Sequence, residues 1–167
     1  VWRGKNESLS AFAAADWPQL AASSAPTDAA VSKGGPARWR VINTAGKLSN
    51  GLEPYVVETL SVPETNPWNS WMRTAALDFF PDGRAAVSTF NGDVWIVSGI
   101  DDKLEKLTWK RFATGLAGPM GLKIVGDVVY VNSRDQITRL HDLNGDGEAD
   151  FYENFNNDCF LTPNFHE

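Results

Sequence analysis

Residues 75–155 alternate apolar and polar side chains in short runs, and turn sequences separate the runs. This alternation with a period of two predicts half-buried β-strands. Asn91-Gly92, Gly126-Asp127 and Pro81-Asp82-Gly83 provide the turn chemistry between consecutive strands. The predicted strands are Ala75–Phe80, Ala85–Thr89, Asp93–Val97, Thr108–Ala113, Gly121–Val125, Val128–Asn132, Gln136–Leu140 and Phe151–Phe155.

The eight strands form two groups of four that resemble each other at a constant offset. Leu77 and Leu122, like Phe112 and Phe155, stand about 44 residues apart, a period typical of a four-stranded propeller blade. Pro163 then begins a third repeat. The sequence therefore predicts an all-β fold, a partial β-propeller of about two blades plus the start of a third, over residues 54–167. Because a propeller closes with about four to eight blades, we expect a fragment whose remaining blades lie in the same or another chain.

Residues 1–53 have a different composition, rich in alanine and serine, and predict an irregular N-terminal segment with a linker. A short helix is predicted around Leu9–Ala15, stopped by the Trp17-Pro18 pair. The Lys33–Pro36 stretch has the glycine and proline content of a linker. Strand-like patterns follow at Arg40–Asn43 and Tyr55–Leu60, which would belong to a preceding blade or close the ring.

The stretch between the last two predicted strands carries the most specific motif in the chain. Oxygen-bearing side chains fall at positions 1, 3, 5, 9 and 12 of a twelve-residue stretch, residues 142–153, and Gly147 falls at position 6. That is the ligand spacing of a calcium loop, in which position 7 contributes a backbone carbonyl. The predicted metal ligands are Asp142, Asn144, Asp146, Glu148, Asp150 and Glu153.

The flanks of this loop are β-like and lack the amphipathic helices of an EF-hand. We therefore expect the ion to pin a turn between two strands, as a structural and not a catalytic metal. His141 would orient a loop carbonyl, because calcium takes oxygen ligands. The alternative interpretation of residues 142–153 is a solvated acidic turn.

Composition narrows the possible partners. The chain has 167 residues, 43% hydrophobic, with seven tryptophans and a net charge of −6, which indicates a folded protein and argues against nucleic acid or anionic membranes. No apolar run approaches the roughly 20 residues of a transmembrane helix.

The single cysteine, Cys159, excludes an internal disulfide and is expected to be a small buried apolar residue. Trp68 and Trp71 are expected to pack against a neighbouring blade.

Three segments carry a family resemblance: Asp78-Phe-Phe-Pro-Asp-Gly-Arg84, Gly92-Asp-Val-Trp95 with Ser98-Gly-Ile-Asp-Asp102, and Arg134 through Asp150. They resemble a propeller family of planctomycete and verrucomicrobial bacteria whose members are described as membrane-bound dehydrogenases or haem-binding-domain proteins. The resemblance covers roughly residues 54–167. Members are exported and are similar in their propeller to soluble quinoprotein sugar dehydrogenases, and many carry a c-type cytochrome domain.

The resemblance implies a periplasmic or secreted, quinone-dependent sugar or alcohol dehydrogenase linked to a c-type cytochrome. Pyrroloquinoline quinone would bind in the full-length protein. His166, at the expected start of an inner strand, would be the general base toward the substrate hydroxyl, as imidazole has a suitable pKa. The alternative function is a non-catalytic, calcium-binding propeller module for ligand or protein binding. A basic, histidine-containing central channel of the propeller would favour the dehydrogenase. A channel filled with apolar side chains would favour the binding module.

Overall fold

The computed structural model describes residues 32–49, 51 and 54–158. Backbone contacts divide the chain into residues 1–33 and residues 34–167. Of the first unit only Ser32 and Lys33 are described, and both are helical. The described part of the second unit contains eleven strands: β1 (Ile42–Thr44), β2 (Gly46–Lys47), β3 (Thr59–Leu60), β4 (Thr74–Phe79), β5 (Ala85–Thr89), β6 (Val94–Ser98), β7 (Leu107–Ala113), β8 (Gly121–Val125), β9 (Val128–Asn132), β10 (Ile137–His141) and β11 (Phe151–Asn156).

The strands form two antiparallel sheets and one two-stranded ribbon. Sheet 1 has the order β1-β7-β6-β5-β4, and sheet 2 has the order β11-β10-β9-β8. The ribbon pairs β2 with β3. All pairs within the two sheets are antiparallel, and consecutive strands from β4 to β7 and from β8 to β11 pair as neighbours. The predicted all-β class is therefore confirmed for the described residues of the second unit. The eight predicted strands of residues 75–155 lie within two residues of the observed bounds.

The strand predictions upstream of residue 60 are only partly correct. The strand predicted at Arg40–Asn43 is β1, which begins two residues later and pairs with β7 through Ile42 and Trp109. The strand predicted at Tyr55–Leu60 is reduced to its last two residues. Tyr55, at 88% exposure, and Val57, at 74%, pair with no strand among the described residues, so their apolar alternation does not produce a paired strand there.

The turn between β8 and β9 explains how a short hairpin forms here. Gly126 and Asp127 both have positive φ angles, 55° and 67°. A two-residue turn with both central residues in the left-handed region matches the twist of the two strands it joins. The predicted Gly126-Asp127 turn is therefore confirmed. Both residue types tolerate the left-handed region.

The apolar core has two parts that lie on opposite faces of sheet 1. One part fills the space between the two sheets: Phe80, Ala86, Val94, Ile96, Phe112, Ala113, Val129, Val131 and Leu140. The other lies on the far face of sheet 1: Met72, Ala85, Val87, Trp95, Val97, Leu104, Leu107 and Trp109. Sheet 1 is thus covered on both faces, and every residue of β5 is buried. In sheet 2 the buried and less buried residues of β9 and β10 alternate, as expected when one face packs on a core.

Trp68 packs against the far part of the core, and its ring centroid lies 5.9 Å from that of Trp95. Trp71 is 58% exposed and lies beneath the guanidinium of Arg73. Trp68 therefore packs on sheet 1, the sheet that follows it in the chain, and its expected contact with a neighbouring blade stays a prediction. For Trp71 the described residues place a cation over an exposed ring. None of the described residues forms a helix long and apolar enough to cross a membrane.

The two sheets meet along their first strands, β4 and β8. Asp78 on β4 accepts a hydrogen bond from the backbone N–H of Ile124 on β8, at 2.8 Å. It also forms an ion pair with Lys123 Nζ, at 2.8 Å. The hydrogen bond from Lys123 and the bonds from backbone amides lower the pKa of Asp78 from 3.8 to about 2. This carboxylate therefore provides a polar link between β4 and β8.

Candidate metal centre

The predicted calcium loop is the connection between β10 and β11. These strands pair antiparallel from Ile137 to His141, and His141 stands opposite Phe151. The turn closes where the N–H of Asp150 donates to the carbonyl of His141, at 2.8 Å. The neighbouring Ala149 N–H donates to the carbonyl of Phe112 on β7, at 2.7 Å. The prediction that the loop joins two strands is confirmed, and sheet 1 holds its base.

Three side chains of the turn fold back onto the backbone amides of the same turn. Asp142 Oδ1 accepts from the N–H groups of Gly145 (2.7 Å) and Asp146 (3.2 Å), and its Oδ2 accepts from Gly147 (2.8 Å). Asn144 Oδ1 accepts from Asp146 at 3.0 Å, and Asp146 Oδ1 accepts from Glu148 at 2.9 Å. Gly147 has φ +83°, a conformation that side chains disfavour, so glycine at position 6 allows this tight curl.

Glu148 directs its carboxylate away from the turn, toward sheet 1 and the residues before β1. The residue is 6% exposed. It accepts from the N–H groups of Arg38 and Trp39 at 2.7–2.9 Å and from Lys110 Nζ at 2.6 Å. Burial raises the pKa of the Glu148 carboxyl, but the bond from Lys110 and the two backbone amides outweigh it, so the pKa lies below its ordinary value. Its predicted role needs only the backbone carbonyl, which this arrangement leaves in the turn.

Asp150 and Asn144 connect the turn to Gly35. Asp150 Oδ1 accepts from the N–H of Gly35 at 2.9 Å, and its Oδ2 accepts from the N–H of Leu143 at 3.0 Å. Asn144 Nδ2 donates to the carbonyl of Gly35 at 2.6 Å and to Asp146 Oδ2 at 3.2 Å. A Cβ atom on Gly34 would stand 2.3 Å from Asp150 Oδ2, so the approach of this segment depends on glycine.

Glu153, at position 12, lies on β11 and has other partners. Its Oε2 is 2.7 Å from His141 Nε2, and its Oε1 is 3.2 Å from Arg139 Nη1. The hydrogen bond with His141, together with the charge of Arg139, holds the pKa of Glu153 below its ordinary value. The His141 ring stacks on Phe151 with centroids 5.7 Å apart, so its side chain supports β11, whereas the sequence assigned it to a loop carbonyl.

The structure therefore gathers four of the six predicted ligand side chains around the turn: Asp142, Asn144, Asp146 and Asp150. Within residues 32–49, 51 and 54–158, no three acidic, histidine or cysteine side chains converge on one point suited to a metal ion. The donor set is nevertheless of the right kind, since hard cations take carboxylate, amide and carbonyl oxygens. A carboxylate offers about four lone-pair sites, so the amide bonds leave acceptor capacity on each group.

The sequence does not predict the contacts that Lys110 and residues 35–39 make with the turn. Lys110 stands in the middle of β7, and its Nζ bridges Glu148 and the carbonyl of Trp39. The two partners lie 38 and 71 positions from it, beyond any local pattern. The one local sign of this contact is the Gly34-Gly35 pair, since glycine lets the backbone approach another segment closely. From the sequence alone, that pair is assigned to a linker.

A groove of about 440 Å³ lies beside the turn, between the two sheets. Apolar side chains of both sheets form much of its lining, with Arg84, Lys110 and Asp127 among the polar groups. His166 and Cys159 lie outside the described residues, as do the predicted helix at Leu9–Ala15 and the repeat start at Pro163. No family model, curated protein or solved structure matches this chain.

Proposed function

We propose that this chain is a calcium-stabilised portion of a β-propeller, in which the turn between β10 and β11 binds one calcium ion. The observation that carries the proposal is the curl of residues 142–148. Three oxygen-bearing side chains at alternate positions, Asp142, Asn144 and Asp146, are held on one turn by its own amides. Few short peptides supply this many hard oxygens at this spacing.

The propeller part of the proposal is supported by the two sheets. Each contains four consecutive antiparallel strands, and the first strands, β4 and β8, lie side by side. Phe155 on sheet 2 is 48% exposed. Its ring contacts the ring of Tyr130 and lies under the guanidinium of Arg139. A further blade from the same or another chain would cover these side chains, as sheet 2 itself covers sheet 1.

When bound, calcium would supply a compact positive charge that neutralises the acidic turn. The residues of the chain do the rest. Asp142, Asn144, Asp146 and Asp150 would offer side-chain oxygens and Glu148 its carbonyl, while Glu153 is bonded on β11. Because the turn joins β10 to β11 and its base hydrogen-bonds to Phe112, holding it rigid stabilises both sheets. Extracellular calcium modules bind in the range of about 10⁻⁴–10⁻³ M, which suits the exported location that the resemblance implies.

The test is the calcium dependence of thermal unfolding. We expect excess calcium to raise the melting temperature of the wild-type chain, because a ligand that binds only the folded state stabilises it. Asp146→Ala should melt lower and show no response to calcium or chelator. Asp102→Ala, which removes an equal charge from an exposed loop, is the control and should keep the wild-type response. Melting curves of Asp146→Ala that match wild type with and without chelator would refute the calcium site.

The dehydrogenase activity implied by the resemblance stays a prediction, since its candidate base, His166, lies outside the described residues. The same holds for pyrroloquinoline quinone and the c-type cytochrome. A non-catalytic binding module would use the same calcium-stabilised turn. The calcium proposal is therefore independent of which of the two functions the whole protein performs.

A further inference from the structure

Residues 35–39, called the strap, lie along the acidic turn and are held by it. Five backbone groups of the strap take part: the N–H and carbonyl of Gly35, the N–H of Arg38, and the N–H and carbonyl of Trp39. Their partners are Asp150, Asn144, Glu148 and Lys110, each more than 70 positions away in sequence. Four of these five groups bond to the turn and the Trp39 carbonyl bonds to Lys110 on β7, so we expect the segment to respond to a change in that turn.

The peptide groups of Gly35 contact two predicted ligand residues at once. The carbonyl oxygen lies 2.6 Å from the side-chain amide of Asn144, at position 3, and the N–H lies 2.9 Å from Asp150, at position 9. A backbone carbonyl is an ordinary calcium ligand. Glu153, which the spacing makes the ligand at position 12, is instead bonded to His141 and Arg139. The side chain at position 12 is thus bonded on β11, and the Gly35 carbonyl is a strap oxygen that lies against the ligand residue at position 3.

Glu148 makes the bonds that keep the strap in place. Its buried carboxylate accepts from the N–H groups of Arg38 and Trp39, and Lys110 Nζ joins the carboxylate to the Trp39 carbonyl. Trp39 also lies under the guanidinium of Arg111, with 5.2 Å between the guanidinium carbon and the ring centroid. Position 7 of a calcium loop contributes only its carbonyl, so the Glu148 side chain is free for this task.

We propose that the strap completes the calcium site: the Gly35 carbonyl takes the ligand place of Glu153, and Glu148 is the positioning residue that holds the strap against the turn. The inference rests on the proposed calcium binding. Because linkage is reciprocal, calcium then tightens the strap by the same factor by which the strap tightens calcium. The ion therefore joins the residues before β1 to the far end of sheet 2.

Titration of the 167-residue chain with calcium chloride by calorimetry tests this inference. We expect Glu148→Gln to weaken calcium binding by about tenfold, within the usual range of roughly 5- to 150-fold for coupled sites. Glu153→Gln removes an equal charge from β11 and should weaken binding less. Loop spacing alone predicts the opposite order, since position 12 supplies two oxygens and position 7 only a backbone carbonyl. An affinity of Glu148→Gln within twofold of wild type, or a larger loss in Glu153→Gln, would overturn the proposal.

A second pair of variants moves the strap without changing any turn side chain. Gly34→Ala places a Cβ against the Asp150 carboxylate, whereas at Gly115, which has a similar φ of +85°, an added Cβ meets nothing within 4 Å. Both substitutions carry the same left-handed strain. We expect Gly34→Ala to lose calcium affinity and Gly115→Ala to keep it. Equal affinities would overturn the proposal.

Hydrogen exchange supplies a measurement that a merely structural role for Glu148 would not change. In the wild-type chain calcium should slow exchange at the amides of Gly35, Arg38 and Trp39, and in Glu148→Gln this slowing should be lost while the amides of β5 stay protected. If wild type binds calcium but the strap amides do not respond, the strap inference alone fails. If wild type binds no calcium, the proposed calcium function fails and the strap inference fails with it.

Discussion

Asp93 illustrates how a single buried residue holds several segments together. Its carboxylate, on a residue 2% exposed, accepts from Arg111 Nη2 at 2.5 Å, from Thr114 Oγ1 at 2.6 Å, and from the hydroxyl of Ser70. The guanidinium of Arg111 also lies over the rings of Trp39 and Trp68. A buried charge with this many partners is costly to leave unpaired.

We predict that Asp93→Asn destabilises the fold by about 3 kcal/mol, because Arg111, whose side chain is only 13% exposed, loses its counter-charge. Urea unfolding followed by tryptophan fluorescence measures the loss. Asp82→Asn is the matched control, since its ion pair with Arg84 lies at the surface and such pairs contribute little. A stability of Asp93→Asn equal to that of Asp82→Asn would show that the network contributes nothing of its own.

Single-residue roles were predictable from the sequence only where a local spacing encodes them. The alternate oxygens of residues 142–150 and Gly147 at position 6 are such a spacing, and the observed turn curls around them. The same spacing makes Glu153 a ligand, and the structure bonds it to His141 on the neighbouring strand. Lys110 was not predicted, because its contact with Glu148 arises only when β7 packs beside the turn.

Between elements, Asp78 makes the main polar link from β4 to β8. Its pKa of about 2 is below the ordinary 3.8, so its contribution to stability is complete above about pH 4 and is lost as the pH falls through about 2. We therefore predict that Asp78→Asn is less stable than wild type at pH 7 and that the difference shrinks as the pH falls from 4 through 2. Urea midpoints measured across this range are the check. A difference that stays constant from pH 7 to pH 2 would contradict the ion-pair role.

The attachment of β1 to sheet 1 depends on Thr44. Its Oγ1 accepts from the indole N–H of the buried Trp109 on β7, at 2.9 Å, and donates to the carbonyl of Ser61, at 2.6 Å. Thr44→Val keeps the shape but leaves the indole donor unpaired, so we predict a loss of about 1–3 kcal/mol. Thr44→Val should cost less in a chain that already carries Trp109→Phe, because that chain has no indole donor to leave unpaired. Denaturation of all four chains in a double-mutant cycle decides this, and simple additivity would exclude a direct contribution from the bond.

The sequence predicts the positions of strands that pair with a sequence neighbour. It does not predict the partner of a strand such as β1, which pairs with a distant one. From β4 to β7 and again from β8 to β11, consecutive strands pair across a turn, so alternation and turn residues together determine each four-stranded meander. The pairing of Ile42 with Trp109 crosses more than sixty residues, and no local pattern specifies it. The apolar run at Tyr55–Val57 was misinterpreted for the same reason, since no strand in the described part of the chain pairs with it.

For the whole molecule, Leu140 tests whether the two sheets unfold together. It lies on β10, is 2% exposed, and packs in the part of the core shared with sheet 1. We predict that Leu140→Ala destabilises the fold by about 2–5 kcal/mol. Hydrogen exchange should then rise equally at the amides of β6 and β9, because the cavity lies between them. Faster exchange confined to β9 would show that the sheets are independent units.

The all-β class and the two groups of four strands were predicted from the sequence, whereas the β2–β3 ribbon and the addition of β1 to sheet 1 were not. The repeat near 44 residues identifies two equivalent groups of strands, and both are present. The capture of β1 by β7 and the cover that residues 60–72 give to the far face of sheet 1 come from tertiary packing. These contacts join distant segments, so only the folded chain reveals them.

The pairing of β1 with β7 also has a consequence for the order of folding. Every other strand in the two sheets pairs with a strand directly before or after it in the chain, and such local hairpins close in about 1–10 μs. Residues 42–44 must instead wait until residues 107–109 have been synthesised and folded. Closing so long a loop carries the largest entropic penalty among the strand pairings of the two sheets. We therefore expect a newly made chain to assemble β4 to β7 first and to add β1 at the edge of sheet 1 last.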